Sequence, residues 1–127
     1  VKGIRTIAKK IPQWAKKLGN KKANHYLAQI VRMQEEIGTG GGGFRFIYAA
    51  FLQEASAILG NEKLRELSLE MTKIGDMWRD FAVNASRVYK NRSTQEDVYN
   101  TLSKEMLAIA DREEIFFKKL KDVIKAY

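Results

Sequence analysis

The sequence predicts an all-α fold: an antiparallel bundle of about four main helices plus a short kinked N-terminal helical arm. Three observations predict it. Apolar residues recur at helical 3,4 spacing through most of the chain, there is one proline, and strand-like alternation is scarce. The 127 residues suit a single helical domain, 1–127, with enough chain for a core. No apolar run reaches the roughly 20 residues that cross a bilayer. There is no cysteine, which excludes disulfides, a cysteine nucleophile and thiolate metal ligands, and fits a cytoplasmic location. The chain opens on Val1 without a signal-peptide pattern, and reads as a processed chain or an excised domain.

Ile4, Ile7, Ile11, Trp14 and Leu18 form the first stripe. Pro12 lies inside it. A proline removes a donor and clashes one turn back, so the arm is expected to stop near residue 10 and restart at Pro12. Gly19-Asn20 ends the arm. A second helix is expected from about Asn20 to Ile37, with Ala23, Tyr26, Leu27, Ile30, Val31 and Ile37 apolar. His25 is the only histidine and makes a poor metal ligand by itself.

Phe44 to Leu59 reads as a third helix, with Phe44, Ile47, Tyr48, Phe51, Leu52, Ala55, Ile58 and Leu59 on a broad apolar face. Gly60 stops it, and Asn61 can cap the helix that follows. From Glu62 to about Lys90 the periodicity is clearest: Leu64, Leu67, Met71, Ile74, Trp78, Phe81, Ala85 and Val88. This is an a/d seam, long enough to serve a dimer as well as a core. Gly75 within it suits a close neighbour. Asn91 to Thr94 make a turn, and Ser93 with Glu96 matches a capping box. The last seam is Tyr99, Leu102, Met106, Ile109, Glu113, Phe116, Leu120 and Val123.

Charge is segregated. The net charge is +8, and residues 1–22 hold eight bases and no acid, so the rest of the chain balances. Lys9, Lys10, Lys16, Lys17, Lys21 and Lys22 therefore form a candidate surface for an acidic partner: an acidic protein, nucleic acid or an anionic membrane. A structural stripe with solvated lysines is the plain alternative.

Chemistry is sparse. Glu113, and Glu54 among the third helix's apolar residues, are candidate interior carboxylates. They suit a general acid/base pair, a metal site, ion pairs with a buried arginine such as Arg45 or Arg79, or a position at the seam edge that reaches solvent. No Glu-x-x-His motif supports a di-metal bundle, and no catalytic triad is present, so no catalytic, cofactor or metal residue is expected. Gly38-Thr39-Gly40-Gly41-Gly42-Gly43-Phe44-Arg45 lacks the Gly-Lys-[Ser/Thr] ending of a P-loop and the preceding strand of a dinucleotide site. Two readings stay open. It is a permissive corner between helices, or a backbone nest in which Thr39, Gly40, Gly41, Gly42, Gly43 and Arg45 contact an anion.

That stretch, followed by Tyr48-Ala49, Phe51-Leu52 and Glu54-Ala55, resembles the C-terminal helical domain of butirosin-biosynthesis-protein-H-like proteins, a domain catalogued as one of unknown function. Gly3-Ile4-Arg5, Ile11-Pro12-Gln13-Trp14 and Trp78-Arg79 with Phe81 extend the resemblance. In that family the domain follows a cysteine-peptidase-like domain, and the named member is an acyltransferase that uses a carrier protein. The resemblance implies an accessory domain that helps to form a substrate or acyl-carrier-protein site. Its partners would be the missing N-terminal domain and an acidic carrier protein. Apart from the resemblance, the position of the glycine stretch before a helix makes it a candidate phosphate or phosphopantetheine contact. A stand-alone interaction or homodimerisation module, and a nucleic-acid or membrane binder using residues 1–22, are the alternatives.

Overall fold

A computed structural model describes residues 2–18, 20–35, 45–89 and 97–126. Five helices make up the described residues: α1 (Lys2–Leu18), α2 (Asn20–Glu35), α3 (Arg45–Leu59), α4 (Glu62–Tyr89) and α5 (Asp97–Lys125). The glycine stretch 38–43, Phe44, the 91–94 turn and the capping box at Ser93 and Glu96 lie outside the described residues.

The all-α helical bundle expected from the sequence holds among the described residues. Helices α1, α2, α4 and α5 close a four-helix ring: α1 packs on α2, α2 on α4, α4 on α5, and α5 on α1. Helix α3 lies outside the ring, packed mainly on α4 and touching α5 through Arg45 with Glu113 and Tyr48 with Phe116. Contacts of α5 with α1 and α4 run antiparallel. Arg5 meets Asp111 while Ala8 meets Ser103, and Trp78 meets Glu113 while Asn84 meets Glu105.

Two long seams build the core. All eight seam residues of α4, from Leu64 to Val88, are buried. Their burial inside the ring removes this seam as a dimer surface. On α5, Tyr99, Leu102, Met106, Ile109, Glu113, Phe116 and Leu120 are buried, and Val123 packs at the edge. Trp78 and Phe81 meet edge to face, with centroids 5.8 Å apart, the geometry that the ring quadrupoles favour.

The arm does not stop and restart at Pro12: α1 is one continuous helix of 17 residues with Pro12 inside it. Pro12 cannot donate to the carbonyl of Ala8, the residue one turn back. That carbonyl instead accepts a hydrogen bond from the Ser103 hydroxyl of α5, at 2.6 Å. A neighbouring helix thus supplies the donor that proline lacks, and the helix continues. Ala8 and Ile11 are fully buried, whereas Ile7 of the expected stripe is exposed. Tyr26 of α2 is likewise exposed, while Leu27 and Val31 are buried.

The corner between α3 and α4 follows its sequence. Gly60 has φ 62°, a left-handed conformation that suits a residue without Cβ. The Asn61 amide donates to the Ser56 carbonyl at 3.0 Å, closing α3 in a Schellman pattern. The Asn61 side chain then accepts from the amides of Lys63 (2.9 Å) and Leu64 (3.3 Å), capping α4.

Helix α3 docks only part of the broad face expected. Leu52 is buried with Ala49, and Tyr48 and Ala55 pack against the core, whereas Ile47, Phe51, Ile58 and Leu59 are exposed. The choice is made at Gly75. A Cβ there would come within 2.8 Å of the Phe46 ring, so the absent side chain is the socket for Phe46. Arg79 lies over the same ring, 5.8 Å from its centroid.

Candidate functional site

At the start of α3, Arg45 points into the groove between α3 and α5, over α4. Its Nε and Nη2 donate to a single oxygen, Oε1 of Glu113, at 2.8 and 2.7 Å. Trp78 Nε1 donates to that oxygen as well, at 3.1 Å. The guanidinium also lies over the Trp78 ring, 5.0 Å from its centroid. The Glu113 side chain is 4% exposed and that of Arg45 is 14% exposed. Burying one charge alone would be costly, and here two opposite charges are buried together with charge-assisted hydrogen bonds. A small cavity of about 120 Å³ adjoins the pair, walled by Tyr48, Met71 and Phe117.

This geometry separates the two candidate carboxylates. Glu113 is interior, and its bonds go to Arg45 and Trp78. Glu54 is not interior: it is exposed on α3, nine residues beyond Arg45, or about 13 Å along the axis at 1.5 Å per residue. The two do not form a general acid/base pair. Glu54 shares the outer face with Ile47, Phe51 and Ile58, and this is why an apolar stripe appeared to surround it. Among the described residues, no group of three His, Asp or Glu side chains is placed to hold a metal.

Thr39, Gly40, Gly41, Gly42 and Gly43 lie outside the described residues. Arg45, named with them as an anion contact, has its Nε and Nη2 engaged by Glu113.

The basic surface is the other candidate site. Helices α1 and α2 carry Lys2, Arg5, Lys9, Lys10, Lys16, Lys17, Lys21, Lys22 and Arg32, against one acid, Glu35. Lys9, Lys10, Lys16, Lys22 and Arg32 are exposed. Lys17 and Lys21 sit on the same two helices, with side chains outside the described set. Arg5 is the exception to this one-signed surface. Its Nη2 meets Asp111 at 2.8 Å and Glu114 at 2.5 Å, joining α1 to α5. That hydrogen bond, and secondarily the Arg5 charge, lower the pKa of the Glu114 carboxyl below its ordinary value. His25 is exposed on α2 beside Tyr26, with ring centroids 6.1 Å apart.

Sequence reasoning missed the Ser103–Ala8 bond, and it anticipated a close neighbour at Gly75 without identifying Phe46. The first had a signal in Pro12 within a helical stripe and a serine beside the Leu102 seam position. The second had Gly75 within the strongest seam. Among the described residues, no helix is long and apolar enough to cross a membrane.

A family model described as a domain of unknown function (DUF4872) matches residues 1–120. No curated protein and no solved structure matches the chain.

Proposed function

We propose that this chain, which belongs to the DUF4872 family of domains of unknown function, is a non-catalytic accessory domain that docks an acidic protein partner on α1 and α2. In the finer form of the proposal, the parent is a butirosin-H-like acyltransferase, and the domain helps to form the site for its substrate or acyl carrier protein. The observation that carries the reading is the one-signed face of α1 and α2, with Lys9, Lys10, Lys16, Lys22 and Arg32 turned to solvent. Such a field steers an acidic partner and raises its encounter rate. The resemblance around the glycine stretch supports the acyltransferase parent.

A protein partner is favoured over a bilayer. A helix that lies in a membrane inserts its apolar face, and Ala8 and Ile11 of α1 are already buried in the ring. The test is a variant combining Lys9→Glu, Lys10→Glu, Lys16→Glu and Lys22→Glu, titrated with an acidic acyl carrier protein. We expect at least a tenfold loss of affinity relative to the parent chain. Unchanged binding would overturn the docking face, and absence of binding by the parent chain would overturn the carrier-protein reading. Duplex DNA in the same assay tests the nucleic-acid alternative. Tight binding with a steep inverse salt dependence would favour that alternative.

A further inference from the structure

Helix α3 is apolar on two opposite faces. Ala49 and Leu52 are buried against α4, while Ile47, Phe51 and Ile58 are 57%, 62% and 77% exposed. Its charged side chains are Arg45, engaged with Glu113, and Glu54. A helix that is hydrophobic all round is characteristically buried all round, yet the contacts of α3 with α4 and, through Arg45 and Tyr48, with α5 leave this outer face exposed among the described residues. We propose that a second copy of this chain covers α3, in a two-fold symmetric, antiparallel α3–α3 pair. This inference concerns a surface other than α1 and α2, so it stands apart from the acidic-partner reading.

The spacing of the outer row supports a second copy. Positions 47, 51, 54 and 58 are separated by four, three and four residues, so the row reads the same in both directions. A two-fold axis passing between positions 52 and 53 sets Ile47 opposite Ile58 of the second copy, and Phe51 opposite its Glu54. A symmetric interface requires this kind of self-complementarity. The Glu54 methylenes can cover the phenyl ring while the carboxylate reaches water. A parallel pair would instead bring the two Glu54 carboxylates to the same level, where they repel.

Charge supports the same occupant. The outer row offers one carboxylate and no base, so a strongly charged partner has little to recognise there. The basic helices α1 and α2 do not pack against α3, so pairing through α3 need not bring the two basic faces together. Three large apolar side chains with their rim bury on the order of 500 Å² per copy, at the low end of specific interfaces. Association is therefore expected to be reversible and concentration-dependent.

Sedimentation equilibrium of the 127-residue chain tests the proposal. The expected result is a monomer–dimer equilibrium that Phe51→Glu weakens at least tenfold, with the helical circular dichroism unchanged. If Phe51→Glu fails to fold, Ile58→Lys at the more exposed end replaces it. The absence of native cysteine permits a register test. Ile47→Cys mixed with Ile58→Cys should form a disulfide-linked pair. Either variant alone should not, because like positions lie roughly 16 Å apart along the helix axes. A strict monomer at every accessible concentration, a dimer indifferent to both charge variants, or preferential 47–47 cross-linking would each overturn the proposal.

Discussion

Ser103 of α5 donates its hydroxyl to the carbonyl of Ala8 in α1, the carbonyl that Pro12 leaves without a helical donor. Ala8 is fully buried and Ser103 nearly so. Water therefore has little access to this carbonyl, and an unpaired buried acceptor costs about 1–3 kcal/mol. One hydroxyl thus lets a proline-containing helix remain a member of the ring.

Ser103→Ala is expected to destabilise the domain by about 1–3 kcal/mol. Pro12→Ala restores the amide that can serve the same carbonyl, so it should recover part of that loss in the Ser103→Ala background. Urea unfolding of both single variants and the double variant measures the coupling, expected at about 1 kcal/mol. Strict additivity would show that the hydroxyl and the missing amide do not serve one acceptor.

The Arg45–Glu113 pair predicts a different pattern. Removing one partner from a buried ion pair costs about 3–5 kcal/mol, whereas replacing both with apolar groups of similar volume is often close to neutral. Glu113→Ala withdraws the shared acceptor from Arg45 and from the Trp78 indole at once. It should lower the denaturation midpoint severely. Arg45→Met with Glu113→Leu should restore part of it, the remaining deficit being the Trp78 indole N–H left without its acceptor. A double variant as unstable as Glu113→Ala would mean that the pair contributes more than mutual neutralisation.

The seams of α4 and α5 were legible in the sequence because strict 3,4 spacing over many turns leaves one solution for which side is inside. The Gly60–Asn61 corner was legible because each residue there has a local conformational reason. The side of α3 that docks was not. Both of its faces are apolar, and the choice rests on Phe46 fitting beside Gly75, a contact between residues far apart in sequence. For the same reason Glu54 could not be told from Glu113: each interrupts an apolar row, and only packing shows that one row faces solvent. The continuity of α1 depended on Ser103, nearly a hundred residues away. The basic surface needed only composition, because no acid occurs in residues 1–22.

Gly75→Ala is expected to destabilise the domain, against helix propensity. Alanine in place of a helix-interior glycine should gain about 1 kcal/mol. Here the new Cβ would lie 2.8 and 2.9 Å from the Cε1 and Cζ atoms of Phe46. The ring must move out of its socket and away from Arg79, and overpacking of this kind costs about 1–3 kcal/mol. The sign should invert once the ring is absent, so that Gly75→Ala stabilises a Phe46→Ala background. Thermal melts of the four proteins would reveal the inversion. A stabilising Gly75→Ala in the parent chain would show that Phe46 yields at little cost.

Arg5 contributes to the acid limb of the stability profile through Glu114. Its hydrogen bond lowers the folded-state pKa of Glu114 below the unfolded value. Such a carboxylate contributes stability above the ordinary carboxylate range. That contribution fades as pH falls through the lower folded value, because the proton must displace the Arg5 contact. Both side chains are solvent-accessible, so the contribution is modest and screened by salt. Arg5→Gln should therefore lower the urea midpoint at neutral pH and leave it nearly unchanged at pH values where Glu114 is protonated. A midpoint difference that is constant from neutral to acid pH would assign the role of Arg5 to packing between α1 and α5 instead of to the carboxylate charges.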